Sequence, residues 1–190
     1  NLALVSIAST YRGQGFKVAS GLWGAGQMMF NKYLVIADES VDIRSKEAMC
    51  RLFRGLDTRK NIIWSEGILD VLDHATPTTG YGSKMAIDLT DVDAAPMRLD
   101  VPHTAEPYGG VALYNAEFVD SLGLAVLYAD REWRESIDVE AYIKYNGLEG
   151  IKYAVVFDYG ASEGMTPSDL LWLAAANSDP RRDMRLCGDT

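Results

Sequence analysis

The stretch YLVIADESVDIRSKEAMCRLFRGLDTRKNI, from Tyr33 to Ile62, decides the fold. Its first five residues form a continuous apolar run, which is typical of a strand covered on both faces. Ser45 then offers a helix N-cap. Apolar residues follow at the i, i+3, i+4 and i+7 positions of a helix: Met49, Leu52, Phe53 and Leu56. The run IIW (Ile62 to Trp64) begins another strand, so the stretch predicts a strand, a helix and a strand in that order.

The flanking residues extend this alternation. LALVSIA (Leu2 to Ala8) predicts an earlier buried strand, and a short strand is predicted near Met85 to Leu89. The segment from Gln14 to Met29 shows an approximate helical stripe, which Gly21, Gly24 and Gly26 weaken. Strands that alternate with helices through short connections predict an α/β fold, layered α/β/α around a largely parallel sheet of β-α-β units.

The pattern returns in the second half of the chain. YAVVFDYGASEGMTPSDLLWLAAANSDPRRDM, from Tyr153 to Met184, resembles the first stretch, and LAVL at Leu124 resembles LALV at Leu2. We interpret this as a duplicated β-α-β-α-β unit, and chance similarity between two β-α-β segments is the alternative. The predicted domains are residues 1–109 and residues 110–190.

Composition restricts the possible partners. The 190 residues carry a net charge of −9, so we expect neither nucleic acid nor an anionic membrane as a partner. No apolar run reaches the length of a membrane span and no signal peptide is visible, so we expect a soluble cytoplasmic protein. Cys50 and Cys187 are expected to be reduced thiols rather than a disulfide. Because the chain starts at Asn1 directly before an apolar run, we expect a domain from a longer chain.

Candidate residues for chemistry lie between the third strand and the strand near Met85. Asp70, Asp73 and His74 could hold a cation or a proton, and the alternative is a solvated acidic loop in which His74 caps a backbone group. Ser83 and Lys84 follow two glycines that can form a tight turn. No partner for nucleophilic catalysis is evident near them.

Two other patterns are weaker. GLWGAG (Gly21 to Gly26) is not the dinucleotide-binding pattern, so close helix packing at these glycines is the preferred interpretation. His74 and His103 lack the spacing to cysteine or carboxylate that a metal site needs. Residue chemistry alone therefore predicts an α/β domain without a metal site and without an assigned role.

Longer segments of the first half carry more information. GLWGAGQMMFNKYLVIADESVDIRSKEAM and LDTRKNIIWSEGILDVLDHATPTTGYGSKMAID closely resemble the C-terminal domain of the UbiD family of decarboxylases. That family includes the polyprenyl-hydroxybenzoate carboxy-lyases of quinone biosynthesis. The shared features are the strand that ends in Asp38, the LD-T-R turn, LDHAT and GSKMAID. The resemblance covers Val5 to Asp88, and the unit that follows Gly110 departs from it.

The resemblance implies a chemistry that needs more than this chain. Family members use prenylated FMN, a divalent metal (manganese) and potassium to decarboxylate aromatic or α,β-unsaturated acids. The ligands of these groups lie in the preceding domains of the family, and no matching motif is present here. The resemblance therefore implies an inactive fragment with no catalytic residue or metal ligand of its own, an upstream flavin-binding domain as partner, and a homo-oligomer.

The resemblance also implies a closing loop at residues 67–84, which would cover the cofactor domain. Its inner part would direct an apolar side chain at the substrate, with Val71 preferred, and packing of the domain core is the alternative role for each candidate. These candidates are Leu69, Val71 and Leu72. The loop residues expected to face the cofactor domain are Asp70, Asp73, His74, Ser83 and Lys84.

The leading hypothesis is the C-terminal domain of a UbiD-like decarboxylase of an aromatic acid, in menaquinone or ubiquinone biosynthesis. The alternative is a non-enzymatic oligomerisation or scaffold module with the same fold. A free-standing nucleotide-binding protein would need a phosphate-binding loop, and the sequence shows none.

Overall fold

The computed structural model describes residues 1–96, 99–129, 132 and 136–187. Its strands are β1 (Leu2–Ile7), β2 (Tyr33–Asp38), β3 (Ile62–Ile68), β4 (Tyr81–Asp88), β5 (Val111–Asn115), β6 (Leu124–Ala129) and β7 (Tyr153–Asp158). Its helices are α1 (Gln14–Trp23), α2 (Lys46–Gly55), α3 (Thr58–Asn61), α4 (Val119–Leu122), α5 (Val139–Tyr145), α6 (Tyr159–Ser162), α7 (Pro167–Asn177) and α8 (Pro180–Asp183), with a 3-10 turn at Gly26–Phe30. The mixed α/β class predicted from the sequence is confirmed.

Four strands form the first sheet in the order β1-β2-β4-β3. The strands β1, β2 and β4 are parallel, with Leu2 opposite Tyr33 and Tyr33 opposite Met85. The strand β3 pairs antiparallel with β4 and places Ile62 opposite Ile87. The expectation of a parallel third strand is therefore wrong. The reason is that the connection at 69–80 has no crossover helix and turns the chain straight back.

The second sheet contains β5, β6 and β7 in that order. The strand β5 is antiparallel to β6, whereas β6 and β7 are parallel over six residues each, as β1 and β2 are. The two sheets differ in strand order, and no strand follows β7 within the described residues. The duplicated β-α-β-α-β unit is therefore not confirmed, because the likeness is limited to one parallel β-α-β segment in each sheet.

The chain divides into two compact units. The first consists of Asn1–Ala94 together with the segment that starts at Pro167, and the second is Ala95–Thr166. We call Pro167–Cys187, the described part of that C-terminal stretch, the returning segment. The predicted boundary between residues 109 and 110 differs from this division because α7 and α8 belong to the first unit, where α8 contacts β4 and Lys32 bonds a carbonyl near the end of α7.

Each unit has an apolar core of its own. In the first unit, α1 packs on the sheet around fully buried residues from α1, β2 and β4: Ala19, Leu34, Ile36 and Ala86. In the second unit, α5 and the turn after it pack on β5 and β6 through Val111, Ala125, Leu127, Tyr142 and Leu148.

Local sequence determines where α2 begins and where α1 ends. The Ser45 hydroxyl accepts a hydrogen bond from the Ala48 N–H at 3.2 Å, so Ser45 is the N-cap of α2, as predicted. The helix expected to reach Met29 ends at Trp23 instead. The close packing expected at the glycines of GLWGAG is absent at Gly21 and Gly26, since a Cβ at either would meet nothing within 4 Å. Gly24 caps the helix, and Gly26 has a positive φ of 49° that favours glycine.

A close approach does occur at the start of α1, where Gly15 lies against the carboxyl group of the buried Asp88. Substitution of Gly15 by alanine would force Cβ into that carboxyl group, and we expect it to lower the free energy of unfolding by about 1–3 kcal/mol. The matched control is Gly21→Ala in the same helix, which we expect to raise it by about 0.5–1 kcal/mol. Urea unfolding measures both, and equal effects of the two substitutions would contradict this account.

Candidate functional site

The loop between β3 and β4 presents two apolar side chains to solvent. Val71 is 66% exposed and Leu72 is 73% exposed, whereas Leu69 is only 1% exposed. We call Val71 and Leu72 the apolar tip. Of the three side chains predicted to close a substrate pocket, the structure therefore exposes two and places Leu69 in the core of the first unit.

Backbone hydrogen bonds give the tip a defined shape. The Asp70 carboxylate accepts from the Leu72 N–H at 2.9 Å, and the Asp70 carbonyl accepts from the Asp73 N–H at 2.9 Å. Aspartate commonly forms such turns, because its short side chain bonds its own backbone two residues on. The base of the loop is closed by a hydrogen bond of 2.9 Å from the Leu69 N–H to the Gly80 carbonyl. The tip therefore lies on a structured turn.

Asp73 does not face solvent. Its carboxylate lies 2.6 Å from the Lys32 Nζ, and both side chains have no exposed surface. The same carboxylate accepts from the Ala75 N–H at 3.1 Å. Lys32 also donates to the carbonyl of Ser178, at 2.8 Å, in the returning segment. Asp73 thus holds a lysine inside the first unit, while His74 beside it is exposed.

Ser83 is also engaged within the unit. Its hydroxyl donates to the Asp179 carboxylate at 2.5 Å and accepts from the Arg181 N–H at 3.0 Å. Asp179 is the N-cap of α8 and accepts from the Arg182 N–H. Burial raises the pKa of Asp179, but hydrogen bonds from Ser83 and Arg182 outweigh it and hold the pKa below its usual range. These contacts attach the returning segment to β4.

Lys84 is a buried cation that bonds backbone carbonyls. Its ammonium donates to the carbonyls of Met29 and Asn31, at the end of the 3-10 turn, and lies 5.8 Å from the centre of the Trp23 ring. Within the described part of the chain, no carboxylate forms an ion pair with it. Burial lowers the pKa of Lys84 to about 8, because the charged form loses its hydration.

The other residues of the shared sequence features have structural contacts as well. Asp38, at the end of β2, accepts from the N–H groups of Ser9 and Ser40 at 3.0 Å, which ties the ends of β1 and β2 together. Asp57, in the LD-T-R turn, is the N-cap of α3 and accepts from the Arg59 N–H at 3.0 Å. These shared sequence features therefore have structural roles, since Asp38 joins two strand ends and Asp57 begins a helix.

Three contributors to the site were not predicted: Lys32, Asp179 and Arg182. An aspartate directly before a proline is an N-cap signal, and this signal could have identified Asp179. Nothing in the local pattern pairs Lys32 with Asp73, since the two residues are far apart in sequence and both types are usually exposed.

Three further observations bear on the predicted ligands and compartment. Across the described residues, no group of three or more His, Cys, Asp or Glu side chains is arranged to hold a metal ion. Cys50 is half-buried, Cys187 is exposed, and the two are not joined in a disulfide. None of the helices in the described ranges is both long and apolar enough to span a membrane.

The first unit is thus a mixed α/β domain. It exposes the apolar tip of the loop between β3 and β4, and the buried ion pair of Lys32 and Asp73 holds the base of that loop. Residues 1–89 match the family model described as 3-octaprenyl-4-hydroxybenzoate carboxy-lyase C-terminal domain. Residues 1–89 therefore match the C-terminal domain of the UbiD carboxy-lyase family, as the resemblance indicated.

Relatives extend the comparison to longer proteins. An uncharacterized protein of Aquifex aeolicus is 37% identical over 91 residues, which is 47% of this chain and 19% of that relative. An uncharacterized protein of Helicobacter pylori (strain ATCC 700392 / 26695) is 27% identical over 195 residues, which is 97% of this chain and 31% of that relative. The chain therefore spans less than a third of the length of these relatives.

Solved structures of UbiD-class enzymes are similar in part. The UbiD-class enzyme HmfF from Pelotomaculum thermopropionicum, in complex with FMN, has a TM-score of 0.41 and 19% identity, covering 52% of this chain and 21% of that one. The vanillic acid decarboxylase of Sedimentibacter hydroxybenzoicus in its closed form has a TM-score of 0.43 and 26% identity, covering 56% and 23%.

The lowered pKa of Lys84 has a measurable consequence for stability. Between the folded value of about 8 and the usual value of 10.5, the unfolded chain binds the proton more tightly. The contribution of Lys84 to the free energy of unfolding should therefore rise with pH across this window, by up to about 3 kcal/mol, and this gain is lost as pH falls through 8.

We expect Lys84→Met to remove this rise, whereas Lys17→Met, at an exposed position of α1, should retain it. Urea unfolding at pH 7.5 and pH 10 measures the difference. Parallel pH dependence of the Lys84→Met variant and the unsubstituted chain would show that Lys84 is not the group responsible.

Proposed function

We propose that this chain serves as the closing and assembly domain of a UbiD-like decarboxylase that acts on an aromatic acid in menaquinone or ubiquinone biosynthesis. The family match of residues 1–89 supports the class of reaction. The observation that carries the closing role is the apolar tip, where Val71 and Leu72 are exposed on a turn fixed by Asp70. Exposed apolar side chains on a structured loop favour contact with another apolar surface.

The tip would contribute to the reaction by excluding water. A carboxylate is destabilised when it enters an apolar site, whereas neutral CO2 is not, so a dry pocket favours loss of CO2. Val71 and Leu72 bring no charge or hydrogen-bonding group into such a pocket. Asp70 and Asp73 keep their carboxylates on the loop side, because both accept hydrogen bonds from loop amides.

The cofactors of the reaction would lie outside this chain. Prenylated FMN, when bound, supplies the electron sink for cleavage of the bond to CO2. The described residues offer no cluster that fits manganese, and the carboxylate of Asp73 is already paired with Lys32. We therefore assign prenylated FMN, manganese and potassium to an upstream flavin-binding domain of the same chain, and propose that this piece alone is inactive and acts in the cytoplasm.

The test of closing is a polar substitution at the tip. We expect Leu72→Asn to lower kcat/KM for decarboxylation at least tenfold, because an amide in the closed pocket retains water and stabilises the bound carboxylate. The free energy of unfolding should change by less than about 0.5 kcal/mol, because the side chain is exposed. CO2 release would be measured on the protein produced from its natural gene in cells that make prenylated FMN.

The matched control is Leu113→Asn, at an exposed leucine of β5 in the second unit. It should leave kcat/KM unchanged. Equal losses in the two variants would remove the closing role, and a natural protein that neither binds flavin nor releases CO2 would favour the scaffold alternative.

An exposed apolar face on the returning segment supports the proposed homo-oligomer. Leu171 is 59% and Trp172 is 68% exposed, whereas Leu170 on the other side of α7 is buried. A helix that is apolar all round is usually buried all round. We call the following set the α7 face: Leu2, Leu171, Trp172, Ala175 and Ala176.

We propose a second copy of this chain as the partner on the α7 face. Two copies of a chain with a net charge of −9 repel each other, so a contact surface made mainly of apolar side chains favours their association. Trp172 lies one turn before Ala175 and Ala176, so it shares their side of the helix. Two antiparallel α7 helices would then place each Trp172 over the small side chains of the other copy, which is the self-complementarity that a twofold interface requires.

We expect Trp172→Ser to weaken self-association at least about thirtyfold, since buried tryptophans at interface centres commonly contribute 2 kcal/mol or more. Light scattering after size-exclusion chromatography measures the mass, and sedimentation gives the dissociation constant. Leu113→Ser is the control and should leave the mass unchanged. A monomeric unsubstituted chain at high concentration would refute this interface.

The alternative function is a non-enzymatic oligomerisation or scaffold module with the same fold. The α7 face favours it as much as it favours the enzyme, because assembly needs no cofactor. The apolar tip distinguishes the two functions, because only the enzyme would need Val71 and Leu72 for CO2 release.

A further inference from the structure

The base of the apolar tip is attached to a part of the chain that is distant in sequence. The carbonyl of Ala75, just after the tip, accepts a hydrogen bond from the Arg182 guanidinium at 2.7 Å. Asp73 holds Lys32, and Lys32 in turn donates to the Ser178 carbonyl at 2.8 Å and the Ala175 carbonyl at 3.4 Å. Two independent routes therefore connect the loop to the returning segment.

The end of α7 is well suited to hold this lysine. The last carbonyls of a helix have no partner within the helix and carry a partial negative charge. The ammonium of Lys32 lies between these carbonyls and the Asp73 carboxylate, so its charge is compensated from both sides. Tyr33 secures the same turn: its hydroxyl lies 2.6 Å from the Ser178 hydroxyl, which itself donates to the Ala174 carbonyl.

The connection fixes the loop while leaving its tip exposed. Asp73 and Ala75 are buried and bonded, whereas Val71 and Leu72 have most of their surface in solvent. Movement of α7 or α8 away from the sheet would remove the carbonyls of Ser178 and Ala175 from Lys32 and the guanidinium of Arg182 from Ala75. Release of the returning segment would thus free the loop at both points.

We propose that the returning segment sets the conformation of the apolar tip, with Lys32 and Arg182 as the positioning residues. The segment begins at Pro167, well beyond the matched family domain at residues 1–89. The apolar tip of this chain therefore depends on residues that lie outside the part matching the family domain. The catalytic importance of this dependence rests on the proposed function, but the structural dependence does not.

Hydrogen exchange of the loop amides tests the proposal without any cofactor. We expect Arg182→Ala to accelerate exchange at Leu72, Asp73 and Ala75 about tenfold or more, because the loop opens locally. Amides of β2 should keep their protection. The matched control is Arg181→Ala, which alters the neighbouring exposed arginine, paired with Glu66 at 3.7 Å, and leaves the contact to Ala75 in place.

A second variant tests the buried route. Lys32→Met combined with Asp73→Asn removes both charges together, which avoids an unpaired buried charge. The asparagine still offers an oxygen to the Ala75 N–H. We expect loop exchange to increase again while protection of β2 is retained, whereas a purely structural role would lower protection throughout the unit.

The outcomes are distinct. Equal loop exchange in the Arg181→Ala and Arg182→Ala variants would overturn the proposal, as would an increase spread evenly over β2 and the loop. If the double variant does not fold, the two arginine variants decide alone. Selective opening of the loop together with full decarboxylation by Leu72→Asn would uphold the positioning role and reject the closing function.

Discussion

The buried ion pair between Lys32 and Asp73 is the constraint on which the first unit depends. Removing two charges from water costs several kcal/mol for each ion, and an ion pair alone rarely repays this. Here the nitrogen lies 2.6 Å from the carboxylate and also donates to the Ser178 carbonyl, while the carboxylate accepts from the Ala75 amide. The pair is satisfied only when the start of β2, the loop after β3 and the end of α7 come together, so it selects one arrangement of three distant segments.

The loop distributes its polar and apolar residues in an unusual way. Its aspartates bond inward to amides and to Lys32, whereas the aliphatic side chains at its tip, Val71 and Leu72, point outward. Surface loops usually show the opposite, because exposed apolar area is unfavourable in water. An inward network of hydrogen bonds offsets this cost and keeps Val71 and Leu72 exposed on a structured turn. The geometry therefore connects the stability of the unit with its proposed role.

Much of the fold could be predicted from apolar periodicity, and the errors have physical causes. The strand YLVIA and the cap at Ser45 depend on local chemistry, which the sequence displays directly. The orientation of β3 does not, because an apolar run reads the same in either direction. The two stretches that suggested a duplication contain Asp57 and Asp179, but each of these residues is the N-cap of a four-residue helix, so the same capping chemistry recurs in unrelated places.

The candidate site was harder to predict than the fold, because its decisive contacts join charged residues that are usually exposed. Lys32 and Asp73 carry no local signal of burial, and the carbonyls that complete their environment come from residues beyond 166. The family match ends at residue 89, yet the structural unit does not. A protein that matches this domain but lacks α7 must either compensate the buried lysine with another element or lack the pair, and its loop after β3 would then be held in a different way.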